Sequence, residues 1–362
     1  MSIPETYRAF RRTAGDAPQT IALSTERLPR QLGPREVLVR IRAVALNFRD
    51  VAILRGRYPL PVRDRGVPCS DAAGEVAAVG PAVAALAVGA RVAAVFDTCH
   101  LAGGEDDPPR ELGGALDGVL RDFNGPGGKK PRTALLQGTG GVSMFALVLC
   151  LAAGVRPIVT SSSDEKLAAV RRLGAAAGVD VGTVNYRAVA APEDRAAEVR
   201  RLTGGVGVDV VLNTVGPASI PHDLDVLRER GGLVSFFGFL DGVGGDWPPA
   251  ALMTLITKFA KIKGLRVGSK QDFIDLSRFL EEKQVSLSPL IDRVFPFDES
   301  PAALDYLYSG RRIVFFFPLT LLRILYAVLP MNNAAQQKTV SAREIGETEQ
   351  GRKRGRKREG KA

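Results

Sequence analysis

Residues 138–143, Gly-Thr-Gly-Gly-Val-Ser, have the types and spacing in this chain that point most directly to chemistry. They interrupt an apolar stretch. Residues 133–137 (TALLQ) precede them, and the Ala/Leu-rich residues 144–153 follow and end at Gly154. A second apolar run then occupies 157–160. Strand, glycine turn, helix and strand in that order make the first βαβ unit of a dinucleotide-binding fold. Gly138 permits a tight turn off the strand, with Thr139 beside it. Gly140 omits a side chain, so the backbone can approach a pyrophosphate. The free N–H groups and positive dipole end of the following helix face those phosphates. Ser143 stands at the third glycine position of G-x-G-x-x-G. A plain glycine turn in another α/β protein is the competing reading.

The end of the second strand bears on which dinucleotide binds. NAD-binding proteins carry Asp or Glu there, about 20 residues past the glycines, for the ribose 2′-OH. This chain has Ser161, Ser162 and Ser163, with Lys166, Arg171 and Arg172 downstream. Hydroxyls and cations suit a 2′-phosphate, which a carboxylate would repel. NADP(H) is therefore expected over NAD(H). A purely structural reading stands beside it: Ser162 and Glu165 have the spacing of a capping box, and the basic residues would lie on a solvated face. Both readings can hold together.

The elements that must position these residues follow from patterning. After Lys166 the βα alternation continues. Gly174 is expected to stop the second helix, and 184–186 reads as a short third strand. Helices at 192–202 and 222–230 alternate with strands at 208–212, 233–237 and 261–267. Such alternation implies a parallel sheet with helices on both faces, and ligands bind at the carboxyl ends of its strands. Asn213, Gly216, Gly238, Phe239, Gly268 and Ser269 all fall at predicted strand ends. Before the nucleotide unit, residues 35–46 alternate apolar and polar, and 91–96 reads as a strand after Gly89. Short strands punctuated by glycine suggest a compact β-rich domain.

Composition sets limits. A chain of 362 residues can hold two domains. The net charge of +10 lies mostly in residues 351–362, which hold seven Lys/Arg and one Glu and leave +4 for the remainder. That basic run has no interleaved aromatic residues, so it reads as a solvated tail and not as a nucleic-acid site. Three cysteines (Cys69, Cys99, Cys150) and two histidines (His100, His222) include no C-x-x-C cluster. No structural four-cysteine zinc is expected, and a catalytic zinc is disfavoured because Cys99 and His100 are sequence neighbours. Cys150 is expected in the core. The polar start of the chain has no signal-peptide pattern, and sparse cysteine fits a reducing compartment, so a cytoplasmic location is expected.

Several motifs together resemble the medium-chain dehydrogenase/reductase superfamily, in its zinc-independent branch of quinone-reductase-like, enoyl-reductase-like and alcohol-dehydrogenase-like proteins. They are LNFRD (46–50), SDAAGEV (70–76), GARVAAVF (89–96), LGGALDG (112–118), LLQGTGGVS (135–143), TSSSDEK (160–166), VNYR (184–187) and LTGGVGVDVVLNTVG (202–216). FFGFL, VGS and VFPFDES continue the match, which covers residues 7–312 in order. Zinc-bearing relatives carry Gly-His-Glu where this chain has Ser70-Asp71-Ala72.

The resemblance implies an α/β fold, with a Rossmann doubly wound parallel sheet and a β-rich, GroES-like catalytic domain around it. The implied reaction is hydride transfer from NADPH to an enone, a quinone or a related small carbonyl compound, or the reverse alcohol oxidation. Asn47 would face the nicotinamide. Gly140, Gly141 and Val142 would hold the pyrophosphate, and Ser162, Lys166 and Tyr186 the 2′-phosphate. Gly238, Phe239, Val267 and Ser269 would line the nicotinamide pocket. A turn residue satisfying its own backbone is the alternative for Asn47, and a strand-end aromatic for Tyr186. Relatives commonly form homodimers through the Rossmann sheet.

The domain boundaries expected are 1–123 for the GroES-like part, 124–132 for a linker, 133–268 for the Rossmann domain and 269–312 for the return to the catalytic domain. A hydrophobic segment (313–331) and a disordered basic tail (332–362) follow. Two departures from the family stand out. Only residues 124–131 lie where relatives have several tens of residues, so the catalytic domain is shortened. A catalytically impaired NADP(H)-binding protein is the alternative this raises. The chain also ends with the apolar run 313–330 in place of the family's closing strand. Its 18 residues fall just short of a bilayer span and include Pro318 and Arg323, which disfavours a membrane anchor and leaves a buried hairpin or helix.

Overall fold

A computed structural model of the chain describes residues 3–15, 18–96, 133–189, 191–265, 267–309 and 325–330. Three sheets organise them. Strands β1 (Thr6–Arg12) and β2 (Ile21–Arg27) form an antiparallel pair. Strands β3 (Glu36–Ala45), β4 (Asp71–Val79) and β5 (Arg91–Ala93) build an antiparallel sheet. The alternation read along 35–46 is real on β3: Val37, Val39 and Ile41 enter one core, while Leu38 packs with Leu28 in another. A short helix, α1 (Phe48–Leu54), follows β3 and buries Val51 and Leu54 in the first of these cores.

Strands β6 (Thr133–Leu136), β7 (Arg156–Ser161), β8 (Gly182–Asn185), β9 (Val210–Asn213), β10 (Leu233–Phe236) and β11 (Lys261–Gly264) form one parallel sheet. Their order is β11-β10-β9-β6-β7-β8, so the chain reverses direction across the sheet between β6 and β9. Ala134, Leu135 and Leu136 are fully buried, because helices cover both faces. Ala134 and Leu136 pack with α2 (Gly141–Ala153) and α3 (Asp164–Ala176); Leu135 packs with α4 (Pro192–Leu202) and α5 (Ile220–Val226). Each such leucine contributes about 1.5–3 kcal/mol by leaving water. Cys150 sits in the first of these cores, and burial pushes its thiol up to about 12.

The short helix α6 (Met253–Thr257) precedes β11, and α7 (Lys270–Glu282) follows it. Leu290 then packs in the core of the six-stranded sheet, whereas Phe295, Phe297 and α8 (Ser300–Tyr308) pack in the β-rich core.

Three local expectations need correction. Gly174 does not stop α3, which runs to Ala176. A Cβ at Gly174 would lie 2.3 Å from Val181, so this glycine lets helix and strand approach. The cap of α3 is Ser163, whose hydroxyl accepts from the Lys166 N–H at 3.3 Å, and not Ser162. Residues 325–330 of the apolar run are a strand, β12 (Leu325–Pro330), and not helix. It pairs antiparallel with β3 from Leu325↔Ile41 to Pro330↔Glu36. No helix among the described residues is long and apolar enough to cross a membrane. Cys99, His100, the 124–132 linker, Pro318, Arg323 and the basic tail lie outside the described residues.

Candidate active site

The reversal point between β6 and β9 is where an open α/β sheet leaves a crevice at its carboxyl edge. The glycine turn sits there. Gly138 has φ +77°, a conformation that costs a residue with a side chain but suits glycine. Its N–H donates to Thr160 Oγ1 at 3.1 Å, tying the turn to the end of β7. Gly140 caps α2, Gly141 begins it, and Val142 is exposed at its first turn. Thr139 and Ser143 are buried. The Ser143 hydroxyl donates to the Gln137 carbonyl at 2.7 Å, which explains why a serine serves at the third glycine position.

A buried polar network holds the two strand ends together. The Gln137 amide donates to Asp223 at 2.6 Å, and its carbonyl oxygen accepts from the Thr214 N–H at 3.1 Å. The Thr214 hydroxyl donates to the Gln137 backbone at 2.9 Å. Asn213 donates to the other Asp223 oxygen at 2.6 Å, Ser219 to that oxygen at 3.1 Å, and Asn213 Oδ1 accepts from the Gly216 N–H at 2.8 Å. Burial pushes the Asp223 carboxyl up to about 7, although all three side-chain donors oppose the shift. Asn213 is thus buried within the network.

The 2′-phosphate candidates gather at the ends of β7 and β8. The Tyr186 N–H donates to the Ser161 carbonyl at 3.1 Å, and the Tyr186 side chain is exposed. Ser161 is buried; its hydroxyl accepts from the Ser163 N–H at 3.3 Å. Ser162 and Lys166 are half-buried beside them.

The nicotinamide candidates lie beyond β10 and β11. A Cβ on Gly238 would fall 2.0 Å from the Thr214 carbonyl oxygen, so only glycine fits between these strand ends. The Phe239 ring meets the β-rich domain: its centroid lies 5.8 Å from Phe48 and 6.2 Å from Tyr58. Val267 is half-buried. The Ser269 side chain is buried and caps α7 by accepting from the Asp272 N–H at 3.2 Å. Its hydroxyl is therefore already engaged.

Asn47 immediately precedes α1 and Phe48. Its side-chain amide donates to Asp71 at 2.8 Å, and its N–H donates to Asp50 at 2.8 Å. The side-chain amide is thus tied to β4, while Asn47 also forms a capping box with Asp50 at the start of α1. The other Asp50 oxygen accepts from the Cys69 N–H at 3.0 Å. Burial pushes Asp50 up to about 6 against those hydrogen bonds. The Cys69 thiol is pushed well above its usual range by burial, then by Asp50 and Asp71.

Gln137, Asp223, Thr214 and Tyr58 escaped the sequence reading. Gln137 had a signal, its place directly before the glycine turn. Asp223 had none.

The family model for the alcohol dehydrogenase GroES-like domain matches residues 33–126, and that for zinc-binding dehydrogenase matches residues 141–282. A zinc-type alcohol dehydrogenase-like protein of Schizosaccharomyces pombe is 33% identical over 79% of this chain and 91% of its own length. A quinone oxidoreductase of Pseudomonas aeruginosa is 34% identical over 58% of this chain and 66% of its own length. The fold is shared with Escherichia coli quinone oxidoreductase, solved in complex with NADPH, at TM-score 0.59 and 22% identity, over 86% of this chain and 99% of that one. The chain belongs to the medium-chain dehydrogenase/reductase superfamily of oxidoreductases.

One family model is named for zinc. Among the described residues no group of three His, Cys, Asp or Glu side chains is disposed to hold a metal ion. In the cleft, Asp50 and Asp71 already accept protein hydrogen bonds, and Cys69 is held as a thiol.

Proposed function

We propose that this chain is a zinc-free, NADP(H)-dependent oxidoreductase that exchanges hydride with an enone, a quinone or a related small carbonyl compound. The observation that carries the reading is the Gly138 turn at the sheet's reversal point, braced by the Gln137–Asp223–Asn213 network. When bound, NADPH supplies the hydride. The chain's part is to bind and orient. The turn at 138–142 offers N–H groups to the pyrophosphate. Ser161, Ser162, Lys166 and Tyr186 receive the 2′-phosphate, and the absence of a carboxylate among them favours NADPH over NADH. Phe239, with Gly238, Val267 and Ser269, lines the nicotinamide pocket, where Phe48 and Tyr58 help to exclude water.

Asn47 faces the reacting end. Its amide is fixed by Asp71 and adds polar character where charge develops on the substrate oxygen. Similar proteins named quinone oxidoreductase and alcohol dehydrogenase-like support the reaction class. The unbridged Cys69 and Cys150 suit a reducing compartment such as the cytoplasm. We place a homodimer interface along β11, the outer strand of the six-stranded sheet, next to the exposed Met253, Ile256 and Phe259.

Thermal unfolding with NADPH, with NADH and with neither tests the cofactor reading. Greater stabilisation by NADPH is expected. Equal stabilisation by both would contradict the 2′-phosphate assignment, and none by either would contradict the site.

A further inference from the structure

Two arginines flank the aromatic contact between the domains. The Arg49 guanidinium carbon lies 5.4 Å from the centre of the Tyr58 ring and 5.1 Å from that of Phe96. The Arg57 carbon lies 5.6 Å from the Phe48 ring and 5.9 Å from Tyr308. Phe48 and Tyr58 are the same rings that meet Phe239. The two cations therefore border the pocket assigned to the reacting groups, next to Asn47.

Neither cation has a counter-ion among the described residues. Among the described residues no carboxylate lies within ion-pair distance of Arg49 or Arg57, whereas Arg11 and Arg42 in the same domain pair with Glu26 and Glu75. The neighbouring carboxyls are engaged elsewhere: Asp50 with the N–H groups of Asn47 and Cys69, and Asp71 with the Asn47 amide. The Arg49 Nε is buried without an acceptor among the described residues. A buried donor left unpaired costs free energy. Stacking on aromatic faces uses the plane of a guanidinium and leaves its N–H edge available for in-plane hydrogen bonds. A planar or tetrahedral anion matches that edge.

We propose that Arg49 and Arg57 bind an anionic group, a carboxylate or a phosphate, carried by the carbonyl substrate. This rests on the oxidoreductase reading of the cleft and names the substrate class more narrowly. The anion sits at the pocket rim and the reducible group points toward Phe239 and Asn47. Substrates with the charge at one end are oriented by it.

The test is steady-state reduction, with NADPH, of cinnamaldehyde against 4-carboxycinnamaldehyde, with crotonyl-CoA as the phosphate-bearing arm. The carboxylated member is expected to have a kcat/KM about 10–100-fold higher than its neutral partner. That preference should shrink with added salt. A preference for crotonyl-CoA alone would assign the site to phosphate. Arg49→Met and Arg57→Met keep the apolar stem and remove the charge. Each should reduce the preference several-fold, mainly through KM of the anionic substrate. Equal use of neutral and anionic partners by the unaltered chain would overturn the proposal. So would a preference that survives both substitutions, or variants that lose NADPH affinity in step, which would give the arginines to the cofactor. If no substrate is reduced at all, the oxidoreductase reading fails separately. Calorimetry of the NADPH complex with benzoate against benzamide then decides the anion site, with benzoate binding tighter if it exists and equal binding overturning it.

Discussion

Gln137 and Asp223 are joined by a buried hydrogen bond of 2.6 Å, although 86 residues separate them. The bond runs from the residue before the glycine turn to a helix after the fourth strand of the parallel sheet. Through it, one carboxyl governs the geometry of both crevice walls. Asp223→Ala leaves the Gln137 amide with an unpaired buried donor, at about 1–3 kcal/mol, while the Asn213 amide keeps Ser219 and the Gly216 carbonyl. Dinucleotide affinity, measured by cofactor fluorescence titration, should fall with the fold stability.

The same carboxyl gives stability a pH dependence. Its folded pKa, about 7, lies above the ordinary 3.8. Between those values the native state keeps a proton that the unfolded chain has released. Stability therefore falls as pH rises across the window, and the cost is complete above about pH 7. Asp50, pushed up to about 6, adds a fall of the same sign below that value. Asp223→Asn removes the first contribution. The melting temperature of the variant relative to the unaltered chain should climb from about pH 4 to about pH 7 by several degrees, at roughly 2–4 °C per kcal/mol.

Lys166 belongs to the proposed 2′-phosphate site with Ser162 and Tyr186. Lys166→Ala should raise KM for NADPH by about 10-fold or more and change KM for NADH little. Initial rates with both cofactors check this.

Gly238 lies against the backbone of Thr214, where a Cβ would stand 2.0 Å from the carbonyl oxygen. Backbone cannot give way as a flexible side chain can. Gly238→Ala should cost about 1–3 kcal/mol or more in urea unfolding and weaken cofactor binding with it.

Ile256 is 67% exposed and Phe259 is 69% exposed, both just before the edge strand β11. Ile256→Asp with Phe259→Asp should halve the mass measured by light scattering if this face joins two copies. A monomeric unaltered chain would contradict the interface.

Much of the nucleotide domain was legible because its strands are buried on both faces, so residues 133–137 and 157–160 read as continuous apolar runs broken by a glycine turn. The rest was hidden for specific reasons. Helix α1 spans seven residues, too few to display a period. Gly174 looked like a helix stop, since the close approach of Val181 is a tertiary fact. The end of the apolar run 313–330 was judged by length, and apolar content alone cannot separate a buried helix from a strand such as β12. The serines at 161–163 located the α3 cap within one residue, but which serine turns onto the helix depends on local dihedral angles. Asp223 and Arg49 acquire meaning only from neighbours that folding brings to them.

Hydride transfer from NADPH at the cleft bounded by Asn47 and Phe239 can be followed as NADPH oxidation by the purified chain with quinone and enone acceptors, against NADH under the same conditions. Acceptor-dependent oxidation of NADPH is expected, with kcat/KM at least about 10-fold above that for NADH. NADPH binding without oxidation by any acceptor would contradict it and leave a dinucleotide-binding protein that does no redox chemistry.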